Sequence, residues 1–341
     1  MNFIVGGGVH EHGRNCFFVE ADINYIVDCG IMRGAEEPYP RLTAEQIRSA
    51  QYVFLTHMHE DHIGAFGWLV ENGFRGLAVA SAETIKALPE YDRTLVLPQS
   101  FGRVNLGAVC VEYGRSGHCA GALWYQIKTD SSNVLFSGDY CENSLFNVDK
   151  ISGREAELAV LDCAFGNMPY VRVEQEGKIT KFAQEVLRKG SLLLPVPKNG
   201  RAADLICLLG DLKCNFFVDA KLRSFFAAQE KNNYWIPKAI SAKIEALIYR
   251  PQNTELPGTY FIADAQLNTA AGAKAAREIL GFGGKILLTG HTDFGSEAER
   301  LVSAGLASEI AFSAHSCMND DKLLISRNNF GNVVYNHCKD I

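Results

Sequence analysis

Short strand-like apolar runs broken by glycine turns fill the first half of the chain. "NFIV", "NCFFVEAD" and "NYIVDCG" read as strands separated by two tight reversals, and "AQYVFLTH" as a buried strand. "DHIGAFGWLVEN" changes period. Its apolar residues recur at helical spacing, and Asp61 near its start complements the helix dipole. "LAVAS" then "AETIKALPE" repeats strand and helix, and "AVCVEYG", "ALWYQIKT", "NVLFSGD" and "LAVLDCAFG" add four strands. The pattern predicts a strand-rich sandwich flanked by helices, not a helical bundle.

After about residue 167 the rhythm becomes that of α/β units. "RVEQEGKITKFAQEVLRKG" predicts a helix, "SLLLPVP" a buried strand and "GRAADLICLLGDL" a helix, and "NFFVDA" and "LRSFFAAQE" continue the alternation. "GKILLTGHTDFGSEAERLVSAG" reads as strand, loop and helix, with Ser296 and Glu299 spaced as a capping box. This points to a parallel-sheet module. The stretches "SEIAFSAHSC" and "NVVYNHCKDI" return to short strands ending in histidines.

Composition narrows the class. A chain of 341 residues suits two domains, or one with a large insertion, and 47% hydrophobic with 21% charged residues allows a sizeable core. A net charge of −6 is not that of a strongly basic nucleic-acid protein, though it leaves room for a local basic groove. The opening "MNFIVGGGVHEHG" has no basic n-region, and no apolar run approaches the roughly 20 residues of a membrane helix. The ten cysteines form no C-x-x-C pair. They read as reduced thiols, so a cytoplasmic protein without membrane contact is expected.

Chemistry concentrates in "LTHMHEDHIGA". His57 and His59 are two apart, so on an extended strand end both imidazoles can grip one ion. Asp61 and His62, on the turn into the helix, can serve a second. Imidazoles with a few carboxylates suit zinc, with positions left open for water. His118 lies in a glycine-rich turn of "YGRSGHCAGALWYQI", and Asp139 at the exit of the strand "NVLFSGDYCEN". Alone, His118 reads equally as a turn residue and Asp139 as a cap. Together with the first cluster they fit one two-metal site.

"THMHEDHIGA", "SGHCAGA" and "FSGDY" resemble the successive metal motifs of the metallo-β-lactamase superfamily. "LDCAFG" with Asp162, "FSAHS" with His315 and "NVVYNHC" with His337 resemble the three further motifs of its β-CASP nuclease branch. "PVPKNGRAADLICLL" and "KILLTGH" resemble stretches of the inserted β-CASP domain, and the opening "HEHGRNCFFVEADINYIVDCGIMRG" that of ribonuclease J and of the cleavage-and-polyadenylation endonuclease. The resemblance implies an α/β fold: an αββα sandwich, residues 1–166 and 311–341, interrupted by an α/β β-CASP domain, residues 167–310.

It further implies a zinc-dependent ribonuclease with two zinc ions per chain, endo- or 5′-exonucleolytic. His57, His59 and His118 would hold one ion, Asp61, His62 and His337 the other, with Asp139 bridging. His315, oriented by Asp162, would protonate the leaving oxygen. A histidine at 337 resembles the RNA-acting members. RNA would lie between the two domains, with Lys198 and Arg201 beside "NG" meeting phosphates; an ordinary solvated turn is the competing reading of these two. A DNA nuclease on the same scaffold and a small-molecule metallo-hydrolase are the alternatives, and a homodimer or protein partners are open. His10 and His12 read as loop residues near the cleft, and His291 as a solvated loop residue. Three positions depart from the family pattern: Cys317 stands where an acid often follows the second-motif histidine, and Cys338 and Lys339 follow the third.

Overall fold

Two six-stranded sheets face each other in the unit that carries the histidines. The computed structural model describes residues 1–98, 101–166, 170–232, 234–253 and 255–338; the expected boundary at 167 and Lys339 lie outside these. The chain forms two compact units, Met1–Pro169 with His315–Ile341, and Tyr170–Ala314.

In the first unit, one sheet runs in chain order: β1 (Asn2–Gly7), β2 (Cys16–Glu20), β3 (Tyr25–Val27), β4 (Tyr52–Phe54), β5 (Leu77–Ala80) and β6 (Thr94–Val96). The first three strands are antiparallel, and β3 to β6 are parallel. Alternate residues of these strands serve two buried surfaces. Phe17 and Phe54 face the other sheet, with ring centroids 5.9 Å from Phe136 and 5.8 Å from Tyr125. Phe18, Ile26, Val53 and Ala78 turn the other way. They form a core with Ile47 of α1 (Ala44–Ser49), Ile63 of α2 (Glu60–Ile63) and Phe66 and Leu69 of α3 (Phe66–Glu71). A one-turn helix, α4 (Ala82–Ile85), follows β5.

The second sheet contains β7 (Gly102–Leu106), β8 (Val109–Arg115), β9 (Leu123–Lys128), β10 (Asn133–Phe136), β11 (Glu155–Asp162) and, at its far edge beside β11, β17 (Asn329–Asn336). β17 is parallel to β11, with Asp162 opposite Asn336. The sheet's outer face packs Trp124, Leu135, Ala159 and Leu161 against Leu324 of α11 (Met318–Ser326). The layers are therefore helix, sheet, sheet and helix, as expected.

Three local expectations change. The single helix expected over residues 61–72 is two, because Ala65 N–H donates to Cys29 O and redirects the chain. Gly64 sits in the break, where a Cβ would lie 2.5 Å from Ile31 Cγ2 and from Glu60 O. The final stretch contains α11, which its sequence pattern does not announce. Return to the first unit comes at His315 rather than 311, since Ile310 and Phe312 N–H groups donate to Leu288 O and Thr289 O in the second unit.

The second unit is a wholly parallel sheet in the order β13 (Asn215–Val218), β14 (Gly258–Ala263), β12 (Leu192–Val196), β15 (Lys285–Leu288), β16 (Ala307–Glu309). All five β12 residues are buried, as a central parallel strand covered on both faces requires. Its helices are α5 (Arg172–Leu187), α6 (Ala202–Leu209), α7 (Ala220–Asn232), α8 (Lys238–Ile248), α9 (Ala270–Gly281) and α10 (Glu297–Ser303). Ser296 Oγ accepts from Glu299 N–H, but the Glu299 carboxylate returns to Gly295 N–H, so the capping box is half formed. Among the described residues no helix is long and apolar enough to cross a membrane.

Candidate metal centre

Strand β4 runs on through Leu55 and Thr56 and delivers His57 and His59 to one end of the sandwich. His59 Nδ1 lies 3.0 Å from His57 Nε2 and 3.1 Å from His118 Nε2. Asp139, just past β10, places Oδ2 3.4 Å from both His57 Nε2 and His118 Nε2. Its other oxygen, Oδ1, lies 3.1 Å from His62 Nε2. Asp61 Oδ2 is 2.6 Å from His337 Nε2 and 3.6 Å from His62 Nε2. Two donor groups result, each with its atoms within 4.8 Å: His57, His59, His118 and Asp139, and Asp61, His62 and His337. Asp139 presents one oxygen to each.

This donor set fits cations. The imidazole nitrogens and carboxylate oxygens converge closely enough that each group could hold a metal ion. Asp139 Oδ1 is buried and receives no hydrogen bond. Nitrogen donors mixed with carboxylates are the ligands zinc takes.

A shell of buried polar groups fixes these side chains. His62 Nδ1 lies 2.8 Å from Asp28 Oδ2; a carboxylate can only accept, so the proton sits on Nδ1 and Nε2 is left to face the centre. Thr56 holds Asp28 with its N–H and its hydroxyl, at 2.7 and 2.8 Å. Asn15 donates to Asp61 O from both backbone and side chain, at 2.8 and 3.0 Å, and Cys29 and Ile31 N–H groups take His62 O and Glu60 O. The approach is close enough that a Cβ on Gly30 would sit 1.7 Å from Asp61 O. Sequence reasoning passed over Asp28, Thr56 and Asn15. Asp28 at least carried a signal, a strand-end aspartate in "NYIVDCG" matching those at 139 and 162.

Beside the second group stands a His–Asp pair. Asp162 closes β11, and its carboxylate accepts from Tyr140 N–H at 2.9 Å and Ala164 N–H at 3.1 Å. His315 Nδ1 lies 3.0 Å from Asp162 Oδ2 and 3.7 Å from Asp139 Oδ2. The β11–β17 register brings His337 to the same sheet end. There it adopts a left-handed backbone (φ 69°), with its N–H donated to Gly8 O. Asp139, Asp162, His315 and His337 also offer atoms within 4.8 Å of one another.

Burial and charge divide the histidines. Burial holds His57 well below the ordinary imidazole range, and His59 below it. Burial also opposes charge on His62, His315 and His337, but neighbouring carboxylates outweigh it. His62 and His315 lie above their ordinary range, and His337 is pushed up to about 9, by Asp139 and Asp61. For Asp61 and Asp139 burial works upward, yet adjacent imidazoles hold both below the usual carboxylate range.

The structure thus brings together His57, His59, Asp61, His62, His118, Asp139, Asp162, His315 and His337. His12 is exposed, and its ring meets that of His337 edge-on at 5.3 Å. The second unit carries Lys198, exposed after β12, Arg201 at the start of α6, and His291, whose carbonyl accepts from Gln266.

Residues 11–142 match the family described as the metallo-beta-lactamase superfamily. An uncharacterized protein of Synechocystis sp. is 29% identical over 206 residues, 54% of this chain and 36% of that protein. The transcription termination factor FttA of Lokiarchaeum sp. is 25% identical over 252 residues, 62% of this chain and 40% of the relative. The endoribonuclease ysh1 of Aspergillus fumigatus is 24% identical over 252 residues, 62% and 29%. The chain spans well under half the length of these curated relatives. A crystal structure of a protein of unknown function from Enterococcus faecalis has the same fold, with a TM-score of 0.63 and 12% identity over 99% of this chain and 94% of the other. Residues 11–142, which carry His57 to Asp139, are thus similar to the metallo-β-lactamase superfamily, and the named relatives include a transcription termination factor and an endoribonuclease.

Proposed function

We propose that this chain is a zinc-dependent ribonuclease that hydrolyses RNA phosphodiester bonds at the Asp139 centre. The observation that carries the reading is Asp139 itself, whose two oxygens face two donor groups next to the His315–Asp162 pair. His57, His59 and His118 would hold one zinc, Asp61, His62 and His337 a second, with Asp139 shared. Bound there, two zinc ions lower the pKa of water and offset charge on phosphoryl oxygens.

The rest is supplied by the chain. Asp28 keeps His62 in one tautomer, and Asn15 and Gly30 hold the Asp61 backbone in place. His315 directs Nδ1 at Asp162, leaving Nε2 as the proton-bearing atom for substrate. Water gives up a proton to solvent as its oxygen bonds to phosphorus, the bond from phosphorus to the 3′ oxygen breaks, that oxygen takes the His315 proton, and His315 regains a proton from solvent. The products are a 5′-phosphate and a 3′-hydroxyl. Asp162 keeps the imidazole oriented and charged until transfer, and two backbone N–H groups keep Asp162 itself in place.

The ribonuclease relative's name and His337 support RNA as the substrate. Lys198 and Arg201 are the proposed phosphate contacts. The test is incubation of purified protein and zinc with end-labelled linear RNA, circular RNA and matched DNA. Cleavage of RNA that stops on adding chelator is expected, and an opened circle identifies an endonuclease. No cut in any nucleic acid, beside brisk hydrolysis of a lactone or thioester, would replace this reading with a small-molecule hydrolase.

A further inference from the structure

The sheet of the second unit changes direction between two neighbours. From β12 the chain passes through α6 to β13 on one side; from β15 it passes through α10 to β16 on the other. Loops that part in this way open a crevice at the carboxyl ends of adjacent parallel strands, where open α/β sheets receive ligands.

Arg201 reaches from the first loop to the second. Its Nε donates to Thr289 Oγ1 at 3.1 Å, and Thr289 is fully buried. Its guanidinium crosses Gly290 so closely that a Cβ there would sit 1.9 Å from Nη2. Only glycine permits that approach.

Among the described residues no ion pair includes Arg201, whereas nearby in sequence Arg172 pairs with Asp204 and Glu176. The ionisable group acting on Arg201 is Tyr170, a phenol. At the end of β14, Asp264 turns back on its own loop and accepts from Asn268 and Thr269. Burial brings the Arg201 pKa down to about 10. Arg201 is half-buried, and a cation partly withdrawn from water without a counter-charge is stabilised by an arriving anion.

We propose that this crevice is a phosphoryl-binding site, in which Arg201, oriented by Thr289, meets the phosphate and Lys198 stands at its exposed lip. With Nε committed to Thr289, two Nη groups remain to engage two phosphoryl oxygens, the geometry that distinguishes Arg from Lys. The start of α6, beside Arg201, favours an anion for the same electrostatic reason. The site is built from second-unit residues alone. Only the identification of RNA as the source of its phosphate rests on the ribonuclease reading.

The test is calorimetric titration of chelator-treated protein at constant ionic strength, so that hydrolysis plays no part. Inorganic phosphate, a nucleoside 5′-monophosphate and a dinucleoside monophosphate are compared. Wild type should bind phosphate, and Arg201→Gln should weaken binding by about 10-fold or more. Gly290→Ala keeps the charge but displaces the guanidinium, and should do the same; it also decides the matter if Arg201→Gln fails to fold. Binding of the 5′-monophosphate but not the dinucleotide assigns a terminal phosphate, binding of both an internal one, and binding of inorganic phosphate alone a free ion. Phosphate binding equally tight in wild type and both variants, or absent from wild type, overturns the proposal and removes Arg201 as a phosphate contact, while hydrolysis at the Asp139 centre is judged separately by the cleavage assay.

Discussion

His337 Nε2 stands 2.6 Å from Asp61 Oδ2, although 276 residues separate the two in the chain. The contact closes the second donor group across two different sheets. His337→Ala and Asp61→Ala should therefore each lower bound zinc from about two equivalents toward about one, and abolish RNA hydrolysis while leaving the fold intact. Elemental analysis with circular dichroism checks both. Full zinc content in either variant would remove that residue from the ligand set.

His315→Ala should slow cleavage by roughly 10²–10⁴-fold, the range for loss of a general acid, with zinc content nearly unchanged. Asp162→Asn should share much of the loss, since an amide orients the imidazole without keeping it charged. Because His315 and Asp162 also lie within ligand reach of Asp139 and His337, the metal measurement is decisive. If His315→Ala loses zinc as readily as His337→Ala, His315 is a ligand.

Stability of the metal-free protein should depend on pH through His337. Its folded pKa of about 9 exceeds the unfolded value of about 6.5, so its contribution is complete below about pH 6.5 and is lost as pH rises through about 9. Thermal melts in chelator should show wild type losing its advantage over His337→Gln across that window. Zinc affinity should rise over the same interval as protons leave the ligands. An advantage that grew with pH would reverse the assigned sign.

Asp321 is buried on α11 with one carboxylate oxygen unbonded, and burial and then Asp162 push its pKa up to about 8. The fold therefore holds a proton that the unfolded chain releases near pH 3.9. The favourable contribution is complete below about pH 3.9 and is lost as pH rises through about 8, so ionisation progressively opposes folding. Asp321→Asn should be neutral near pH 4 and stabilising near pH 8, by about 1–3 kcal/mol. Equal melting shifts at both pH values would show that its ionisation is not the cause.

The donors could be read in the sequence because strand-end position and residue type declare themselves together: Asp162 directly follows an apolar run, and Asp139 follows one after Ser137 and Gly138. The residues that hold them could not. Asn15 acts through a backbone carbonyl 46 positions away, and nothing local marks such a bond. Helix α11 buries only Asp321 and Leu324, so it has no apolar stripe to reveal it. "IAFSA" reads as the start of a returning strand. Yet its first N–H groups complete the β15 ladder, a pairing visible only once β15 is in place. Arg201 is legible as a basic residue at a helix start, but its bend across Gly290 is set by a loop far along the chain.

Strand β17 joins the sheet only through β11, and it alone delivers His337. During translation the ribosome must read through the whole second unit after Asp162 before the codons for β17 are reached. A growing polypeptide thus acquires the His57–His59–His118 group early and the Asp61–His62–His337 group late. A centre built in this order stays incomplete until His337 has been added to the growing chain, whatever chemistry the first group could begin alone.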